Sequence, residues 1–101
     1  MLHLKALSLG RLGRLEEAVP VFDRAAAVHP QKHAVLANKG NALRAAGRLD
    51  EAVASYEAAI AAEPAFISGW ISLGLALWSA GDQASAEQIM REALARAPDD
   101  P

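Results

Sequence analysis

His29 and His33 stand four residues apart, the spacing that on one helix face would bring two imidazoles to a zinc ion. Pro30 falls between them in a turn, no acidic ligand adjoins them, and His3 is remote in sequence, so they read as solvated turn residues. Gly10-Arg11-Leu12-Gly13, with Arg14 behind it, has the outline of a GxxG nucleic-acid loop. Its second glycine, however, recurs as Gly47 and Gly81, each parting two apolar runs, and a turn accounts for it better. No phosphate-binding Walker loop, nucleophile elbow or serine–histidine–carboxylate spacing is present. The chain is therefore expected to be no enzyme and to use neither cofactor nor metal. Asn38 and Asn41 carry amides that both donate and accept hydrogen bonds.

Composition sets the frame around those residues. At 101 residues and 52% hydrophobic content the chain makes one modest domain that can fold without staples, and it has no cysteine for a disulfide or a thiolate zinc site. A formal charge of −2 gives no global reason to bind nucleic acid or an anionic membrane surface. The charge is unevenly spread: residues 1–48 carry a net +5 and residues 49–101 a net −7. From Pro64 to Gly81 no residue is charged, near the lower length limit of a membrane span, but Ser68, Ser72 and Ser79 interrupt it and it runs in register with two clearly soluble copies. No membrane span is expected. The first residues, MLHLKALSLGRLGR, lack the unbroken apolar core and cleavage site of a signal peptide, which leaves a cytoplasmic default.

The elements that must position Asn38 and Asn41 follow from a period of 34. Shifted by that length, the chain matches itself at Leu2/Leu36/Trp70, Ala6/Gly40/Gly74, Leu9/Leu43/Leu77, Gly13/Gly47/Gly81, Ala18/Ala52/Ala86, Phe22/Tyr56/Met90, Ala25/Ala59/Ala93 and Pro30/Pro64/Pro98. Each copy reads as helix, tight turn, helix, because apolar and alanine-rich runs follow a helical period and a glycine parts them where a left-handed cap is needed. Six helices are expected, over 2–12, 15–28, 33–46, 49–62, 67–80 and 83–96, all α, with loops short enough to make neighbours antiparallel. Pro20 falls early in its helix and predicts a slight kink there but no break. Ala6, Gly40 and Gly74 are expected to face Ala18, Ala52 and Ala86 where helices approach, with Phe22, Tyr56 and Met90 filling the space between pairs. No pair buries its apolar face alone, so stacking must stabilise the fold.

Trp70-x2-Leu73-Gly74-x2-Leu77, Ala86-x3-Met90 and Pro98 carry a resemblance to the tetratricopeptide repeat family, whose 34-residue pattern is W-x2-L-G-x2-Y, then A-x3-F, then P. The resemblance covers essentially the whole chain, as repeats of about 1–32, 33–66 and 67–101. Departures are mild: Leu2 and Leu36 replace the tryptophan, Lys5 and Lys39 the following leucine, and Ala6 the first glycine. It implies an α-solenoid, a right-handed superhelix of three antiparallel helical hairpins. It also implies that the first helices line a concave groove binding a peptide or protein segment, without catalysis, in what is expected to be part of a longer array or larger protein.

By the same resemblance the groove is lined by His3, Leu7 and Arg11, then Asn38 and Asn41 with Ala37 and Ala45, then Ile71, Ser72, Leu75 and Trp78. Asn38 matches one rung of the asparagine ladder of the O-linked N-acetylglucosamine transferase repeats. That match gives the alternative reading, a non-catalytic repeat portion of a larger enzyme that presents a polypeptide substrate. The carboxylate clamp that holds heat-shock chaperone tails would need cations at His3, Ser68 and Ser72 and an asparagine at Leu7, so that role is not expected. Ile71, Leu75 and Trp78 form one stripe of a helix that is apolar nearly all round, which predicts a cover over them, either a partner segment or a further repeat. Finally, apolar ends are expected at Leu2, Leu9 and Phe22 on one side and Met90 and Leu94 on the other. With the opposite charges of the two halves, they predict head-to-tail self-association.

Overall fold

Gly47 and Gly81 set the turns. In the computed structural model, which describes residues 15–96, their φ angles are 79° and 88°. In this left-handed region a Cβ is penalised and glycine is not. Around Gly47 the N–H of Arg48 donates to the carbonyl of Leu43 and that of Gly47 to the carbonyl of Arg44; Asp82 and Gly81 repeat the pattern on Leu77 and Trp78. Both turns are thus paired 6→1 and 5→2 closures that satisfy carbonyls the helix end would leave open.

Five helices are described: α1 (Leu15–Val28), α2 (Lys32–Ala45), α3 (Leu49–Ala62), α4 (Ile67–Ser79) and α5 (Gln83–Arg96). They agree with the last five expected from the sequence to within one residue at each end. The expected first helix, with Leu2, Ala6, Leu9 and Gly13, and Pro98 at the other end lie outside the described residues. Among the described residues there is no strand, and none of the helices is long and apolar enough to cross a membrane. Pro20 lies inside α1 without interrupting it. Helix starts are held differently from one another. The side chain of Asp82 accepts from the N–H of Ser85 at the start of α5, whereas Arg48 spends its guanidinium on Glu51, at 2.6 and 2.8 Å.

Each helix packs on the next in sequence, and α2 also touches α4, so the first helices of successive repeats are direct neighbours. Ala18, Phe22 and Ala25 of α1 cluster with Val35, Leu36 and Ala37 of α2, while Leu43, Ala52, Tyr56, Leu73 and Ala76 join α2, α3 and α4. Phe22 is 1% exposed under α2, so it fills the space between pairs as expected and is not part of an apolar end. The glycines meet large side chains where alanines were expected. A Cβ on Gly40 would lie 2.6 Å from the Tyr56 ring and one on Gly74 would lie 2.7 Å from the Met90 methyl, so each glycine makes room for the bulky residue of its own hairpin.

Candidate functional site

Six of the nine residues expected in the groove are described. Asn38 and Asn41 lie on α2, and Ile71, Ser72, Leu75 and Trp78 on α4. The other three, His3, Leu7 and Arg11, lie outside the described residues. Because α2 and α4 touch, the six sit on adjacent helices of one layer.

Asn41 is exposed but not idle: its Oδ1 accepts the hydroxyl of Tyr56 at 2.5 Å, which leaves the amide nitrogen as the group free to donate outward. Tyr56 itself is fully buried, and that burial raises its pKa above the ordinary value, with the nearby Arg44 charge acting in the opposite direction. Asn38 and Ser72 are half-buried. On α4 the apolar stripe is open, with Ile71 43%, Leu75 47% and Trp78 54% exposed.

That stripe does not stand alone. Leu75 and Trp78 share a hollow of about 410 Å³ with Met90 and Arg91 of α5, floored by Gly74 and Ala86 and edged by Glu87. Ile71 borders a second, of about 320 Å³, with Ile67, Met90, Ala93 and Leu94. Met90 divides the two. The α5 residues of this surface escaped the sequence-based list of groove residues, which drew only on first helices. The signal for them was the register of Met90 with Tyr56, a core position.

The histidines correct a sequence expectation. His29 Nδ1 accepts the N–H of Gln31 in the turn, but His33 is half-buried and packs edge-on against the Phe66 ring, with centroids 4.8 Å apart, so it is a packing residue rather than a solvated one. Among the described residues no group of three metal-binding side chains gathers.

The tetratricopeptide repeat model matches residues 3–66 and again 38–101, which together span nearly the whole chain. The chain belongs to the tetratricopeptide repeat family. Members of this family bind protein or peptide partners. Solved structures agree on the fold. A point mutant of MamA superimposes with a TM-score of 0.80 at 21% identity, covering 97% of this chain and 72% of that one. The tetratricopeptide domain of Sgt2 from Aspergillus fumigatus gives 0.81 at 21% identity, over 94% of this chain and 63% of its own length. PilW, described as a type IV pilus biogenesis factor, gives 0.83 at 26% identity, over 94% and 44%. This chain thus spans between about half and three quarters of the length of these tetratricopeptide relatives. A search of curated proteins returned no significant match.

Proposed function

We propose that this chain is a non-catalytic scaffold that holds a peptide or protein segment along the layer formed by α2 and α4. His3, Leu7, Arg11, Asn38, Asn41, Ile71, Ser72, Leu75 and Trp78 would line the site. The observation that carries this reading is the open stripe of Ile71, Leu75 and Trp78 next to a helix bearing Asn41, since an apolar anchor beside an amide donor matches the needs of an extended chain. Short segments bury little area and lose chain entropy on docking, so affinity is expected on the order of micromolar. The test is selection from a random-peptide display library, followed by titration of the selected peptides into the chain and into a variant with alanine at Asn38, Asn41, Leu75 and Trp78. Binding should fall while helicity by circular dichroism is kept; peptides that bind the variant undiminished would place the site elsewhere.

Two finer readings go with this one. Asn38 supports a repeat portion of a larger, glycosyltransferase-like enzyme presenting polypeptide substrate, and a catalytic domain in the same open reading frame would favour it. The charge split between the halves supports head-to-tail self-association, which added salt would weaken by screening. A cytoplasmic site of action and partners other than nucleic acid or membrane complete the proposal.

A further inference from the structure

Sorted by helix, the charges separate the two layers of the fold. Among the described residues α2 carries Lys32, Lys39 and Arg44 and no acid, and α4 carries no charge at all, while every side-chain carboxylate lies on α1, α3, α5 or in a turn. The layer on which a segment would lie is therefore cationic, and the second helices behind it hold the acids. Lys39 spends its charge sideways on Asp23. Arg44, by contrast, is half-buried and forms no ion pair among the described residues.

Arg44 also has a prepared neighbour. Asn41 stands one turn before it on the same face of α2, and the Asn41 Oδ1 is taken by the hydroxyl of Tyr56. That hydroxyl belongs to a ring that is 0% exposed and clusters with Leu73 and Ala76 of α4. The bond fixes which end of the amide is left over, so the Asn41 Nδ2 keeps its N–H donors for an outside acceptor. Arg44 lies close enough to the same phenol for its charge to oppose the effect of burial there. A guanidinium and an amide thus offer donors at one place, braced from beneath by a buried side chain. The second repeat alone is built so. Thirty-four residues on, Asn41, Arg44 and Tyr56 become Leu75, Trp78 and Met90, an apolar trio, and thirty-four residues back the matching types are Leu7, Gly10 and Phe22.

We infer that the segment held by this layer is acidic, seated with an Asp or Glu side-chain carboxylate on Arg44 and the Asn41 amide, and with a large apolar residue on Leu75 and Trp78. This takes the groove reading above as its premise and adds the chemistry of the ligand. Donors with no acceptor match a carboxylate, which only accepts, whereas a basic segment would set cation against cation at Arg44. The spacing follows from the packing of α2 on α4. Helices in contact lie about 8–10 Å apart, which an extended chain rising about 3.3 Å per residue crosses in about three residues.

The test begins with a random-peptide display library selected against the chain and, separately, against Arg44→Glu. Peptides taken by the chain should be rich in Asp and Glu about three positions from a large apolar residue, and those taken by Arg44→Glu should carry Lys or Arg in place of the acid. The strongest binder to the chain is then synthesised with both ends blocked, once as selected and once with its acid changed to the corresponding amide. The acidic form should bind the chain about fivefold more tightly than the amide form, the scale of a partly exposed ion pair, and the two should bind Arg44→Gln equally. The acidic form should also shift the side-chain amide resonances of Asn41 further than the amide form does. Binding that is lost on blocking the peptide's carboxyl terminus would overturn the inference, since that assigns Arg44 to a chain end rather than a side chain. Peptides that Leu75→Ala/Trp78→Ala releases, but that show no preference for an acid and bind Arg44→Gln undiminished, would overturn it while leaving the groove reading intact. A library that yields no binder, or binders indifferent to alanine at Asn38, Asn41, Leu75 and Trp78, would overturn both.

Discussion

Two glycines of one repeat do opposite work, and substitution should separate them. Gly47 has nothing within 4 Å of an added Cβ, so Gly47→Ala costs only the left-handed backbone penalty, about 1–2 kcal/mol. Asparagine, which tolerates that conformation, should cost less there than alanine. Gly40→Ala instead drives a methyl into the Tyr56 ring and should cost about 1–3 kcal/mol through overpacking, with asparagine worse still. Urea denaturation of the four variants checks the inverted order. The role of Gly47 was legible in the sequence because a glycine recurs between two apolar runs. The partner of Gly40 was not, because the repeat aligns Ala52 and Tyr56 equally well and only the hairpin's crossing decides between them. Tyr56 adds a pH dependence. Burial raises its pKa above the ordinary 10, so the unfolded chain releases the proton first. Its contribution is therefore whole below that value and declines as pH rises through and beyond it. Alkaline denaturation should show this slope, and Tyr56→Phe should flatten it; as the sole tyrosine, its near-ultraviolet absorbance reports the ionisation directly.

At the scale of the element, α4 carries two apolar stripes with different duties. Leu73 is 2% exposed within the core that joins α2, α3 and α4, so Leu73→Ala should cost about 2–5 kcal/mol. Leu75, two residues on and 47% exposed, should change stability by no more than about 0.5 kcal/mol when cut to alanine, while weakening whatever docks beside Trp78. Thermal unfolding of the two variants tests that contrast; equal losses would mean that Leu75 belongs to the core. Hydrophobic period, with the 34-residue register and the turn glycines, separated the stripes and placed the ends of the five described helices within one residue. It failed where the environment of a side chain is set by a neighbouring helix rather than by its own. Phe22, read both as filler between pairs and as part of an apolar end, is only the former because α2 covers it, and His33 is turned from the turn's solvent onto Phe66. The hollows on α4 and α5 were legible only in part, since Met90 and Leu94 read as an apolar end but their joining with Leu75, Trp78 and Ile71 depends on how the two helices pack.

Across the molecule, stability should vary along the chain because each helix gains partners only from its immediate neighbours. Among the described helices α3 lies between α2 and α4, and α2 packs on α1, α3 and α4, whereas α5 packs on α4 alone. The buried side chains of α5 are Ala86 and Ala93, small residues with little apolar area, while α3 contributes Tyr56 to the shared core. Local opening of α5 therefore exposes less surface than opening any helix before it, and it leaves the α2–α3–α4 cluster intact. Arg96, stacked 4.6 Å over the Trp70 ring, and Asp82 at the opposite end of α5 hold the helix at its two ends, but both contacts are exposed and each contributes on the order of 1 kcal/mol or less. Native-state hydrogen exchange should accordingly find the amides of α5 exchanging faster than those of α2 and α3, with Arg96→Ala widening the gap. Uniform protection from α2 to α5 would mean that the repeats open as one cooperative unit.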